Sequence, residues 1–151
     1  MVIKTKSVKE TQKIARLFVR DIKNKKQKRP LILALEGELG SGKTTFVQGF
    51  TRALGVREKV VSSTFVLLKI YSLPPAISFK YLVHIDCYRL DSSQDLIHLG
   101  FKDLLKDKDA ILIIEWADRI KALLPKNSWR IKFSHGKIIQ ERIIQFLKCC
   151  S

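Results

Sequence analysis

Residues 31 to 55, LILALEGELGSGKTTFVQGFTRALG, decide how the rest of the chain is read. The apolar run Leu31 to Leu35 has the length of a buried strand. Gly37-Glu38-Leu39-Gly40-Ser41-Gly42-Lys43-Thr44 follows and fits G-x-x-x-x-G-K-[ST] at every defined position. Phe46, Val47, Phe50 and Leu54 then recur at helix spacing, and Gly55 stands where a C-cap glycine belongs. Strand, glycine-rich loop and helix in that order predict a phosphate-binding loop. Its glycines permit close backbone approaches, so that N–H groups turn inward onto phosphate oxygens. The helix starting near Lys43 adds its positive N-terminal dipole. Lys43 is expected at the β- and γ-phosphates of a nucleotide, and the Thr44 hydroxyl on Mg²⁺. Thr45 closes the nucleotide-binding stretch that begins at Gly37.

Upstream, residues 7 to 23 predict a helix. Ser7 caps it, Glu10 is placed for a capping box, and Ile14, Leu17, Phe18 and Ile22 make one apolar face. The basic loop NKKQKRP follows; it either grips a phosphate backbone or is simply solvated. Downstream, Val60 to Tyr71 predicts a strand preceded by a Ser/Thr-rich loop, and Ser72 to Ser78 a turn. Tyr81 to Asp86 and Ala110 to Glu115 are apolar strands that each end in an acid. Residues 92 to 105 are short helical pieces broken at Gly100. Trp129 to Phe133 and Ile138 to Leu147 are the final strands, with a turn at Gly136 and a helical ending for the last segment. The pattern implies one α/β domain over residues 1–151. It is a three-layer P-loop NTPase fold around a central mixed, partly parallel sheet.

In such sheets ligands bind beyond the carboxyl ends of the strands. Gly37, Asp86 and Glu115 all fall there, so they are expected on one rim around one magnesium nucleotide. Each acid either binds the metal directly, holds it through water, or orients the attacking water. The structural alternatives are a helix N-cap for Asp86 and a surface salt bridge for Glu115. Thr64, in the Ser/Thr-rich loop, is a candidate γ-phosphate switch residue or an ordinary turn-capping hydroxyl. Trp116 either flanks the nucleotide or packs in the core. His84 is read as a hydrogen-bonding neighbour of the acids. Arg89 is either a phosphate contact or a structural ion pair. Cys87 lacks an evident base for nucleophilic catalysis. No Asn-Lys-x-Asp stretch is present, which favours ATP over GTP.

The chain has 151 residues, 46% hydrophobic, enough for a core without disulfides or metals. Three cysteines, two of them adjacent at Cys149-Cys150, do not make a disulfide framework. No apolar run reaches membrane-span length, and the N-terminus lacks a signal-peptide core, so a cytoplasmic location without membrane contact is expected. The net charge of +15 favours a polyanion partner.

Taken together, these motifs resemble the TsaE family, small bacterial ATPases of the tRNA threonylcarbamoyladenosine machinery. GELGSGKTTF matches the family's nucleotide loop, and Glu10-Thr11 its early helix motif. Ser62-Ser63-Thr64-Phe65 is similar to its Ser-Pro-Thr-Phe switch. His84 to Leu90 matches its His-x-Asp-x-Tyr-Arg-Leu signature, and Ile114-Glu115-Trp116 its Ile-Glu-Trp signature. The last two are the most specific. By resemblance, Lys43 and Thr44 bind phosphate and magnesium, Thr64 belongs to a switch, Asp86 and Glu115 serve the metal and hydrolysis, and Trp116 lies by the nucleotide. The implied partners are the transferase subunit and its paralogue, of TsaD and TsaB type, with tRNA engaged through them or, given the charge, directly. Ser63 in place of proline implies a less rigid switch, and the basic charge is unusual for the family. The competing readings are a small-molecule P-loop kinase and a nucleotide-gated RNA-binding protein.

Overall fold

The computed structural model describes residues 1–61 and 68–148. The switch stretch around Thr64 and the Cys149-Cys150 pair lie outside the described residues. Four parallel strands form the middle of the sheet: β2 (Leu31–Gly37), β4 (Tyr81–Asp86), β5 (Ala110–Glu115) and β6 (Trp129–His135). Three antiparallel strands complete it: β1 (Val2–Thr5), β3 (Leu68–Ser72) and β7 (Arg142–Lys148). The order is β1-β7-β6-β2-β5-β4-β3. The expected mixed, partly parallel sheet is therefore present.

Alternation along β2 divides the core. Leu31, Leu33 and Leu35 face one side, where they meet α1 (Val8–Ile22) and α2 (Lys43–Ala53) through Ala15, Val19, Phe46 and Phe50. Ile32 and Ala34 face the other. There they meet Leu96 of α3 (Ser93–His98), Phe101 of α4 (Phe101–Leu104), and Ala117 and Ile120 of the 3₁₀ helix Ala117–Leu123. Both faces are dry, which is why β2 and β5 are continuously apolar rather than alternating. A bidentate pair, Arg130 Nε and Nη2 to the two Glu36 carboxylate oxygens at 2.9 and 3.0 Å, ties β6 to β2 just before the glycine loop.

Several local expectations need correction. Ser7 does cap α1, accepting from the Glu10 N–H at 3.1 Å. The Glu10 carboxylate, however, accepts from the Lys6 N–H at 2.6 Å rather than completing the capping box on Ser7. The buried face of α1 is Thr11, Ala15, Val19 and Ile22, and Leu17 is 39% exposed. Gly100 breaks α3 from α4 as expected, at φ 88°. Ile138 to Gln140 belong to the β6–β7 connection, because β7 starts only at Arg142 and is held as strand to Lys148 by pairing with β6 and β1. It does not turn helical within the described residues. β1, four residues long, carries no pattern of its own that predicts it.

The two helices of the first layer touch closely at Gly49, where an added Cβ would sit 2.7 Å from the Gln12 Cα. Helix propensity alone favours Gly49→Ala by about 1 kcal/mol, but the clash is with backbone, and overpacking costs roughly 1–3 kcal/mol. The expected outcome is a net loss of stability, read as a lower midpoint in urea denaturation.

Candidate functional site

The parallel register brings the site together. Leu35 lies opposite Glu115, and Asp86 lies opposite Glu115 on the other side, so β2, β5 and β4 all deliver their ends to one rim. The glycine loop leaves β2 there. Gly37, at φ 150°, lies so close to β6 that a Cβ would run into the Phe133 carbonyl. Gly42, at φ 102°, is the residue before α2 and gives that helix no side-chain cap. The first-turn N–H groups of α2 thus face the cleft without a side-chain acceptor, the arrangement that suits an anion.

Lys43 is 5% exposed. Its Nζ donates to the carbonyls of Gly37 at 2.6 Å and Glu38 at 2.8 Å, and lies 3.4 Å from the Ser41 Oγ. The same ammonium stands 4.1 Å from the centre of the Trp116 ring. Burial lowers its pKa from the ordinary value, opposed by Glu115, Asp118 and Asp86.

Beside it runs a three-residue string. The Thr44 hydroxyl donates to Glu115 Oε1 at 2.8 Å, and His84 Nε2 meets Glu115 Oε2 at 2.7 Å. Glu115 is 2% and His84 7% exposed, so Glu115 is no surface salt bridge, and His84 is the acid's hydrogen-bonding neighbour. A hydroxyl and a carboxylate side by side at the start of α2 form the oxygen donor set that Mg²⁺ prefers. Asp86 is half-buried, and its Oδ1 accepts from the Tyr88 N–H at 3.0 Å, which makes it a turn cap as well as a rim acid. Burial raises its pKa above the usual carboxylate value, partly offset by that bond.

Trp116 has φ 58° and ψ 40°, the sole positive φ outside glycine among the described residues. This turn cancels the strand alternation that would carry the ring away from Glu115. It places the ring between Lys43 and Tyr88, whose ring centre is 4.9 Å away, with the edge of the second core cluster behind. Trp116 therefore both flanks the cleft and packs inward. Such strain in a non-glycine residue concentrates at functional positions. Cys87 is fully buried and its thiol is pushed up to about 12, so it is no nucleophile.

The cleft above these groups has a volume of about 500 Å³, within the range of small-ligand sites. Leu39 to Thr45, Glu115 and Trp116 line it. Gly37 and Glu38 lie beneath it, at the Lys43 ammonium, and Asp86 stands outside its wall. On the far side, to which no sequence motif points, Ser7 and Thr11 face Ile139 and Gln140 of the β6–β7 connection and Arg142 at the start of β7. Arg142 Nη1 is tied to the carbonyls of Ile139 at 2.6 Å and Glu141 at 3.0 Å. No local motif marks Arg142 or Asp118; only the tertiary arrangement brings them in.

Comparison with known proteins gives one consistent result. Residues 5–144 match the family model described as threonylcarbamoyl adenosine biosynthesis protein TsaE. A protein of Rickettsia typhi named tRNA threonylcarbamoyladenosine biosynthesis protein TsaE is 36% identical over 119 residues, covering 78% of this chain and 75% of its own. A protein of the same name from Bacillus subtilis is 38% identical over 104 residues, covering 66% and 59%. The crystal structure of Bacillus subtilis YdiB superposes with a TM-score of 0.74 at 29% identity, covering 99% of this chain and 86% of that one.

The raised pKa of Asp86 makes its ionised form a cost to stability. That cost is fully present above the raised value and vanishes once pH falls below the ordinary 3.8. Asp86→Asn keeps the acceptor for Tyr88 and removes the charge. Because solvent screens a half-exposed group, thermal denaturation at pH 7 should show a rise of only about 1–2 °C, shrinking toward zero in acid.

Proposed function

The chain belongs to the TsaE family, and on that premise we propose that it is an ATP-hydrolysing regulatory subunit required for threonylcarbamoyladenosine modification of tRNA. The names its relatives carry support the pathway. The observation that supports the chemistry is the Thr44–Glu115–His84 string lying beside the buried Lys43 ammonium at the start of α2.

In this reading the loop from Gly37 to Thr45 wraps the phosphates, and the open N–H groups of α2 bind their oxygens. Lys43 already has its ammonium in the loop, held by the two carbonyls, and needs only to extend from there to meet the terminal phosphates. Thr44 and Glu115 would hold Mg²⁺, which supplies charge neutralisation on the β- and γ-phosphates. His84 fixes one oxygen of Glu115 and so sets the direction of the other. Asp86, at the outer edge of the rim, is proposed to serve the same metal, directly or through water, or to orient the attacking water. Trp116 closes the side of the cleft and shields the lysine from solvent. Thr64 is proposed as the switch residue on the strength of the family pattern.

Catalysis of this kind is positioning plus electrostatic stabilisation. Of the three described cations at the cleft, Lys43 is bound to the carbonyls of Gly37 and Glu38 and Arg142 to those of Ile139 and Glu141, while Lys6 is an exposed lysine, so among them no guanidinium is held ready for the γ-phosphate. Hydrolysis by the chain alone is therefore expected to be slow, and a partner, the transferase subunit with its paralogue, is proposed to complete the site.

The test is ATP hydrolysis with and without that heterodimer. Turnover should rise on adding it. Lys43→Ala and Glu115→Ala should each lower the stimulated rate at least about 100-fold. A Lys43→Ala protein as fast as wild type would sink the proposal. Phosphorylated acceptor in place of free phosphate would replace it with a kinase.

A further inference from the structure

The pole opposite the nucleotide cleft carries much of the chain's excess charge. All four parallel strands start there, so the segments entering β2, β4, β5 and β6 converge on it, about 20 Å from the catalytic rim. Backbone hydrogen bonds fix the convergence. The Ser78 N–H donates to the Lys23 carbonyl at 2.9 Å, and the Lys80 N–H to the Asp109 carbonyl at 2.8 Å. Arg29, Lys106 and Asn127 rim one hollow of about 360 Å³ whose remaining lining is apolar, Pro30, Ile32, Leu105 and Pro125.

The four cations of Lys25 to Arg29 are exposed, as are Lys106, Lys108 and Lys126. None of them enters an ion pair among the described residues. The two acids between them are already engaged. Asp109 pairs with Lys80 at 3.3 Å, and Asp107 accepts the Asp109 N–H at 2.9 Å. Of the large exposed apolar side chains among the described residues, none lines this hollow, and Leu39 and Ile139 lie at the cleft. A surface that offers unpaired cations and nothing to insert into a bilayer suits a hydrated polyanion rather than a lipid headgroup layer. The hollow between Arg29 and Lys106 is large enough to take a phosphate of a backbone.

We propose that this pole is a direct RNA-backbone contact, with a double-helical RNA stem as its partner. The proposal deepens the reading above, giving the subunit its own hold on the RNA. It needs no residue of the nucleotide cleft, so the two can fail separately. Contact here is by charge, without base readout.

The experiment compares three proteins by fluorescence anisotropy on a labelled RNA hairpin with a stem of about 16 base pairs, between about 50 and about 200 mM salt. They are wild type, Lys25→Glu/Lys26→Glu/Lys28→Glu, and a control with the same change in net charge, Lys4→Glu/Lys13→Glu/Arg16→Glu. The pole variant should bind at least about tenfold more weakly, with a log–log salt slope shallower by about three; the control should lose less than about twofold. Equal losses in both variants would overturn the proposal, showing that net charge alone matters. So would the absence of wild-type binding at the upper salt, or vesicles of phosphatidylserine and phosphatidylcholine displacing the RNA. Partner-stimulated ATP hydrolysis, measured on the same preparations, should be unchanged in the pole variant. Its absence from wild type would strike the ATPase reading and leave the RNA contact standing.

Discussion

An ammonium group held almost out of water at the end of β2 is the constraint around which the nucleotide rim is built. Isolated burial of Lys43 would cost several kcal/mol. Two loop carbonyls, an aromatic face and the field of nearby carboxylates offset that cost. Each of these demands something of the backbone. The carbonyls of Gly37 and Glu38 turn inward only because the loop departs from β2 through glycine. The aromatic face is present only because Trp116 accepts a left-handed conformation. The carboxylate field requires β5 beside β2 in parallel register. A lysine at this point without those features would lose its charge or swing outward.

The glycine loop was legible in the sequence because every residue that builds it is local. The two acids were legible for a related reason. An apolar run that stops at a carboxylate marks a strand end, and parallel strands align their ends. Roles were harder to read. Glu115 carried the alternative of a surface salt bridge, and only the fold shows it sealed between Thr44 and His84. Trp116 was open because strand alternation assumes ordinary backbone angles, and this residue does not have them.

What the sequence concealed is what tertiary pairing creates. β1 is four residues of undistinguished pattern, and it is strand because β7 offers it an edge. Ile138 to Gln140 have strand propensity but sit in a connection, because Gly136 and Glu141 close it with a 2.8 Å bond from the Gly136 N–H to the Glu141 carbonyl. The outer wall of the cleft, from Ser7 and Thr11 across to Arg142, joins segments more than 130 residues apart in the chain. Periodicity carries no information about such neighbours.

That last pairing has a temporal consequence. Residues 2–5 find their place only when residues 142–145 arrive to hydrogen-bond with them. Loop closure over nearly the whole chain is among the slowest kinds of contact to form. On a ribosome, which releases the chain from its N-terminal end, the glycine loop and both acids are made well before the strand that encloses them. The emerging chain therefore holds its phosphate-binding loop beneath an unfinished wall, with the strand edge meant for β7 still open. The nucleotide cleft is in this sense a late product of folding, finished by a segment made after the glycine loop and both acids.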